Sequence, residues 1–126
     1  MDSFERSQKA AAHDLKGATA FLQYAQGNGL VVALQALIDF AGYRLQAMLV
    51  LPLDRHVVGS ADACHTPPHA EEEACEKFKM VADNLGLAEH EIKVGEETVR
   101  LHFGADVEGH QGTDGKKIYV LDTART

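Results

Sequence analysis

The chain predicts an α+β fold: N-terminal helices followed by a mostly antiparallel sheet of about five strands, with one long helix packed on it. Three observations carry that expectation. Apolar residues recur at 3.6-residue spacing near the start, the pattern changes to two-residue alternation from Tyr43, and Asp114-Gly115 marks a hairpin turn between two strand-like runs. The 126 residues suffice for one domain with one modest core.

Taken in order, residues 3–26 read as a helix. Ala10, Ala11, Leu15, Ala18, Phe21, Leu22 and Ala25 form its stripe, and Gly27-Asn28-Gly29 stops it. Residues 30–40 read as a second, mostly apolar helix closed by Gly42, so that residues 1–42 form a helical N-terminal part. The remaining residues, 43–126, form the sheet-containing part of a single domain. Residues 43–51 begin with alternation and become continuously apolar, as a central strand does, and Pro52 ends them. Residues 55–59 predict a short strand joined to it through a turn at Leu53-Asp54. After a loop, Pro67-Pro68 opens a helix over about residues 69–84, with Ala74, Phe78, Val81, Ala82 and Leu85 as its buried stripe and Gly86 as its stop. Residues 91–94, 98–103 and 117–121 complete the strands.

Composition narrows the function. The chain is 45% hydrophobic and 25% charged, ordinary for a soluble protein. Its net charge is -7, with Lys and Arg scattered, which argues against a broad face for phosphate backbones. The longest apolar run, residues 47–51, is too short to span a bilayer, so no membrane insertion is expected. Two cysteines and no signal-peptide pattern fit the cytosol.

Four groups of residues invite a chemical reading. Cys64, His65, His69 and Cys75 lie within twelve residues, a donor set zinc accepts, although the spacing matches no zinc motif and Cys75 suits a helix core. Glu71, Glu72 and Glu73 complement the dipole of their helix. His13, His56, His90 and His102 lack acidic or cysteine partners nearby and read as surface or strand positions. The C-terminal stretch is the richest. Asp106, Glu108, His110, Asp114 and Asp122 can cluster there, with Asp106 and Glu108 on one strand face. Paired acids suit Mg²⁺ around a phosphate, Glu108 with His110 suits acid–base work, and Asp114-Gly115 suits a plain turn.

The order and spacing of several blocks carry a resemblance. Gly59-Ser-Ala-Asp62, Asn84-Leu-Gly-Leu87 with His90, Asp106-Val-Glu-Gly-His110, Gly112-Thr-Asp-Gly115 and Tyr119-Val-Leu-Asp-Thr-Ala-Arg125 resemble the CLU domain of the clustered-mitochondria proteins over residues 43–126. Departures are Ala63-Cys64 in place of a glycine pair, Thr66-Pro67-Pro68 in place of Thr-Val-His, and Lys116-Lys117 in place of an arginine. The resemblance implies a piece of a larger cytoplasmic protein concerned with mitochondrial distribution and with messenger RNA. RNA would then be reached through the parent protein, and the domain itself would be a non-catalytic binding or scaffolding module. Its partners would be other domains of the parent or other proteins.

Under that resemblance Asp106, Glu108, His110, Asp114, Asp122 and Arg125 form a polar site faced by Ser60 and Asp62. Arg125 is expected to pair with one of the acids and close a latch between loops, with no cofactor. Two alternatives stay open. In a kinase-like phosphoryl-transfer domain, Asp122 would hold Mg²⁺ with a nucleotide while Asp106 or His110 orients the acceptor; Gly59-Ser60 is the nearest substitute for a phosphate loop. In a small zinc-bound interaction domain, Cys64, His65, His69 and Cys75 would hold the metal.

Overall fold

The expected first helix forms as α1 (Ser3–Ala25), continued by a single 3₁₀ turn, Gln26–Asn28. Gly29 then takes φ 74°, a left-handed conformation that glycine adopts without a Cβ clash, and the chain leaves the helix. The computed structural model describes residues 3–59 and 72–125. Ser60, Asp62, Cys64, His65 and His69, and with them three of the four proposed zinc ligands and the loop expected to face the polar site, lie outside the described residues, whereas Cys75, the fourth, sits half-buried on a helix.

No second helix follows. Residues 30–40 form two strands, β1 (Leu30–Val32) and β2 (Gln35–Phe40), so the N-terminal part is helical only in α1 and its 3₁₀ turn. A short run such as Leu30 to Leu34 cannot be assigned by periodicity, and its β-branched valines favour the extended state once a partner strand exists. That partner is the last strand, 88 positions downstream: Leu30, Val31 and Val32 pair in parallel with Ile118, Tyr119 and Val120. Residues 43–51, expected as a central strand, give β3 (Tyr43–Met48), which pairs with β2 alone in an exposed hairpin. Leu53-Asp54 makes no turn between β3 and its successor. It begins β4 (Leu53–Gly59), which pairs antiparallel with β7 (Glu108–Gly112) instead.

The other elements follow the sequence more closely. α2 (Glu72–Leu85) buries Ala74, Phe78, Val81 and Ala82, and Gly86 at φ 72° ends it. β5 (His90–Val94) and β6 (Glu97–Leu101) form a hairpin, the second of these stopping two residues short of Phe103. β7 and β8 (Ile118–Leu121) close on the Asp114-Gly115 turn. The described residues therefore hold eight strands in three sheets, not five in one: β1-β8-β7-β4, β2-β3 and β5-β6. All pairings are antiparallel except β1 with β8.

Successive rungs of the four-stranded sheet differ in chemistry. Val32, Val120, Gly109 and Val58 lie in register across all four strands and join the core built with α1 and α2. Phe21 of α1, Phe78 of α2 and Phe103 stack there, with ring centroids 4.6 to 6.1 Å apart. A Cβ on Gly109 would lie 2.9 Å from the Phe78 ring and 2.6 Å from Val58, so only glycine lets the helix settle on the sheet. The adjacent rung reads Val31, Tyr119, His110 and His56. Period-two alternation puts it on the opposite face, away from the helices. The polar site grows from that rung.

Candidate functional site

β7 carries Glu108 and His110 two residues apart, hence on one face, and the imidazole Nε2 lies 2.9 Å from Glu108 Oε2 with both side chains half-buried. His56, opposite on β4, tilts its ring against His110 with centroids 5.1 Å apart. Its Nε2 is buried and has no hydrogen-bond partner among the described residues.

Asp106 is not on a strand. It lies in the turn before β7, where the Val107 amide donates to the Gly104 carbonyl at 3.0 Å, and so does not share a strand face with Glu108. From there Asp106 Oδ2 receives the Arg125 Nε–H at 3.0 Å. The guanidinium is mostly in solvent, which limits this pair to about 0–1 kcal/mol. Asp106 Oδ1 is buried without a hydrogen-bond partner among the described residues.

Asp122 ends β8 at φ 56°, a conformation that Asp and Asn tolerate better than other non-glycine residues. Partial burial pushes its carboxyl above the usual carboxylate range. The charges of Glu108, Asp14 and Asp106 push the same way, and only His110 opposes them. Asp114 is elsewhere. Its Oδ1 accepts the amides of Lys116 and Lys117 at 2.9 and 3.1 Å, which holds its carboxyl below the usual range and fixes the turn. The five residues from Glu108 to Gly112 span about 14 Å of strand, so the turn lies far from the acids at the other end. The structure thus gathers Asp106, Glu108, His110, Asp122 and Arg125 near one end of β7 and β8 and leaves Asp114 out.

Two residues absent from the sequence expectation complete the arrangement. Thr123, 2% exposed, donates its amide to Asp14 Oδ1 at 2.9 Å, and its hydroxyl donates toward the Asp14 carbonyl oxygen and Oδ1 at 2.9 and 3.0 Å. The other Asp14 oxygen, Oδ2, accepts from Gln46 at 2.7 Å. One carboxylate of α1 therefore holds both the C-terminal segment and the β2–β3 hairpin. Gly17, one helical turn on, makes room: a Cβ there would lie 2.0 Å from the Thr123 carbonyl oxygen. No local signal exposes Asp14, whose partner is 109 positions away.

The concavity bordered by Asp14, Asp122 and Thr123 measures ≈ 90 Å³. A larger one of ≈ 320 Å³ lies between α2 and β6, bordered by Cys75, Phe78 and Phe103, and none of the clustered acids lines it. Among the described residues, no group of three His, Cys, Asp or Glu side chains is arranged to hold a metal ion, and no helix is long and apolar enough to cross a membrane.

Comparison with curated proteins and with solved structures yields no match. The family model described as "Clustered mitochondria" (CLU) does match, over residues 2–126, well beyond the 43–126 on which the sequence resemblance rests. α1 and β1 fall inside that match and contribute Phe21, Ala25 and Leu30 to the core: the chain belongs to the clustered mitochondria (CLU) family.

Proposed function

We propose that this domain is a non-catalytic binding or scaffolding module of a larger cytoplasmic protein of the clustered-mitochondria kind, presenting surfaces to other domains of that protein or to protein partners. Any contribution to mitochondrial distribution, or any contact with messenger RNA, runs through the parent protein. The observation that carries this reading is the Asp14 clasp: its carboxylate is bonded to Thr123 and Gln46 and so joins three segments of the fold. Asp106 and Glu108 are likewise engaged with Arg125 and His110. Polar groups used in this way fix loops against one another. The ≈ 90 Å³ concavity beside them is also well below the roughly 300–1,000 Å³ of ordinary ligand pockets.

Isothermal titration of the purified domain with ATP, with and without Mg²⁺, tests the reading. The expected result is no binding heat, while Asp14→Ala lowers stability by about 1–3 kcal/mol because the buried Thr123 amide loses its acceptor, the hydroxyl keeping only the Asp14 carbonyl. Magnesium-dependent binding that disappears in Asp122→Ala would replace the scaffold by a nucleotide-binding domain that uses the same acids.

A further inference from the structure

β2 and β3 pair from Phe40–Tyr43 at the turn to Gln35–Met48, and the Leu49 amide, donating to the Leu34 carbonyl at 3.1 Å, adds one more rung. Alternation sorts these residues cleanly. Gln35, Asp39, Arg44 and Gln46 share one face with Leu37 and Met48; Gln46 ties that face to α1, and Arg44 grips both Asp39 oxygens at 2.7 and 2.8 Å. The other face is apolar along its whole length. Its rungs are Leu34–Leu49, Ala36–Ala47, Ile38–Leu45 and Phe40–Tyr43, and its six large side chains are 45% to 71% exposed.

At roughly 200 Å² for a fully exposed large apolar side chain, these six leave about 700 Å² open, close to the ~800 Å² each partner contributes to a stable interface. Monomeric proteins rarely leave a contiguous patch so large uncovered.

We propose that this face is a homodimer interface, covered by the same face of a second copy. Three features favour that occupant. The area matches what a dimer needs. The face bears no charged side chain, so an identical face can meet it without desolvating an ion. Its relief is also self-complementary. The Ala36–Ala47 rung, beside the bulkier Leu34–Leu49 rung, lines an open groove of ≈ 340 Å³. If the copies stack antiparallel about a two-fold axis, each Ala36–Ala47 groove receives the partner's Ile38–Leu45 rung, and Leu34–Leu49 meets Phe40–Tyr43. Every rung then has a counterpart, and the pattern is reciprocal, as an isologous contact requires. The two hairpins become a small sandwich with sheets about 10 Å apart.

Sedimentation of the chain from about 1 to 200 µM should show a monomer–dimer equilibrium with a Kd in the micromolar range. Association should tighten with salt, because each copy carries a net charge of -7 and the contact itself is uncharged. Ile38→Asp should weaken it about a hundredfold by burying a charge. Ala36→Phe is the sharper variant: it makes the face more apolar yet fills the groove, and it should weaken the dimer as well. Ile38→Thr with Leu45→Thr keeps the strand propensity and guards against a variant that merely unfolds. A monomer throughout the range overturns the proposal and assigns the face to a different partner. Tighter association of Ala36→Phe overturns it too, since that marks unspecific adhesion.

Discussion

Two hairpins of this molecule share a design and differ in fate. β2–β3 and β7–β8 are both antiparallel and both turn through a glycine with positive φ, Gly42 at 82° and Gly115 at 65°. β7–β8 lies inside a four-stranded sheet whose inner rungs meet two helices. β2–β3 touches the rest of the described residues mainly through its polar face and leaves its apolar face open. Alternation sets which side chains share a face. Only the elements stacked on that face decide whether it becomes core or surface. An apolar face without a neighbour is therefore information about assembly, whereas the same face under a helix is information about stability.

The strongest way to break this comparison pits two phenylalanines against each other. Phe21 is fully buried between Phe78 and Phe103, and Phe21→Ala should lower stability by about 3–5 kcal/mol. Phe40 is 71% exposed, and Phe40→Ala should change the stability of the dilute monomer by less than about 0.5 kcal/mol. Urea unfolding at low and high protein concentration checks both values. A large cost for Phe40→Ala in the dilute protein would mean that the hairpin packs on its own chain and that the contrast is false.

A pair of glycines gives the next effect. Alanine inside a helix is normally favoured over glycine by about 1 kcal/mol. At Gly17 the sign should reverse, with Gly17→Ala destabilising by about 1–3 kcal/mol, because the new methyl meets the Thr123 carbonyl and forces α1 off the C-terminal segment. Gly42, at the tip of the open hairpin, has nothing within 4 Å of an added Cβ. Gly42→Ala should be destabilising only by the strain of positive φ, about 1 kcal/mol. Thermal unfolding of the two variants ranks them, and a stabilising Gly17→Ala would remove the close approach from the account.

What the sequence disclosed follows the same division. The α1 stripe, the α2 stripe with Gly86, and the Asp114-Gly115 turn were legible because their signals are local. β1 was not: five consecutive apolar residues fit a helix or a buried strand equally well, and the deciding partner, β8, lies far down the chain. The β2–β3 hairpin was obscured by the same run, which hid the alternation of Gln35, Leu37 and Asp39. In the polar site, Asp106, Glu108, His110, Asp122 and Arg125 were visible as a dense cluster of chemistry-bearing residues. Asp14 was an ordinary helix residue until Thr123 came to rest beside it. The His56–His110 contact likewise exists only through the β4–β7 register.

The smallest effect concerns charge, where the two regions again diverge. In the hairpin Asp39 has a cation: hydrogen bonds from Arg44 hold its carboxyl below the usual range. At the end of β8, Asp122 faces burial and three other carboxylates, and its carboxyl is pushed up. The linkage signs are opposite. Because the folded state binds the Asp122 proton more tightly than the unfolded chain does, stability from this group is full below about pH 4 and falls as pH rises through the folded value. For Asp39 the contribution is present above the ordinary carboxylate value and is lost as pH falls through the depressed one. Asp122→Asn keeps a residue that accepts positive φ and removes the charge, so it should gain on the wild type as pH rises from 4 to 7, and salt should shrink the gain. Asp39→Asn should drift the other way, losing ground as pH rises toward about 4 and the wild-type Asp39 ionises against Arg44. Stability curves for the three proteins from about pH 2 to 7 decide the matter. A difference between Asp122→Asn and wild type that does not change with pH would mean that the carboxylates at the end of β8 do not feel one another, and the crowding there would have no energetic meaning.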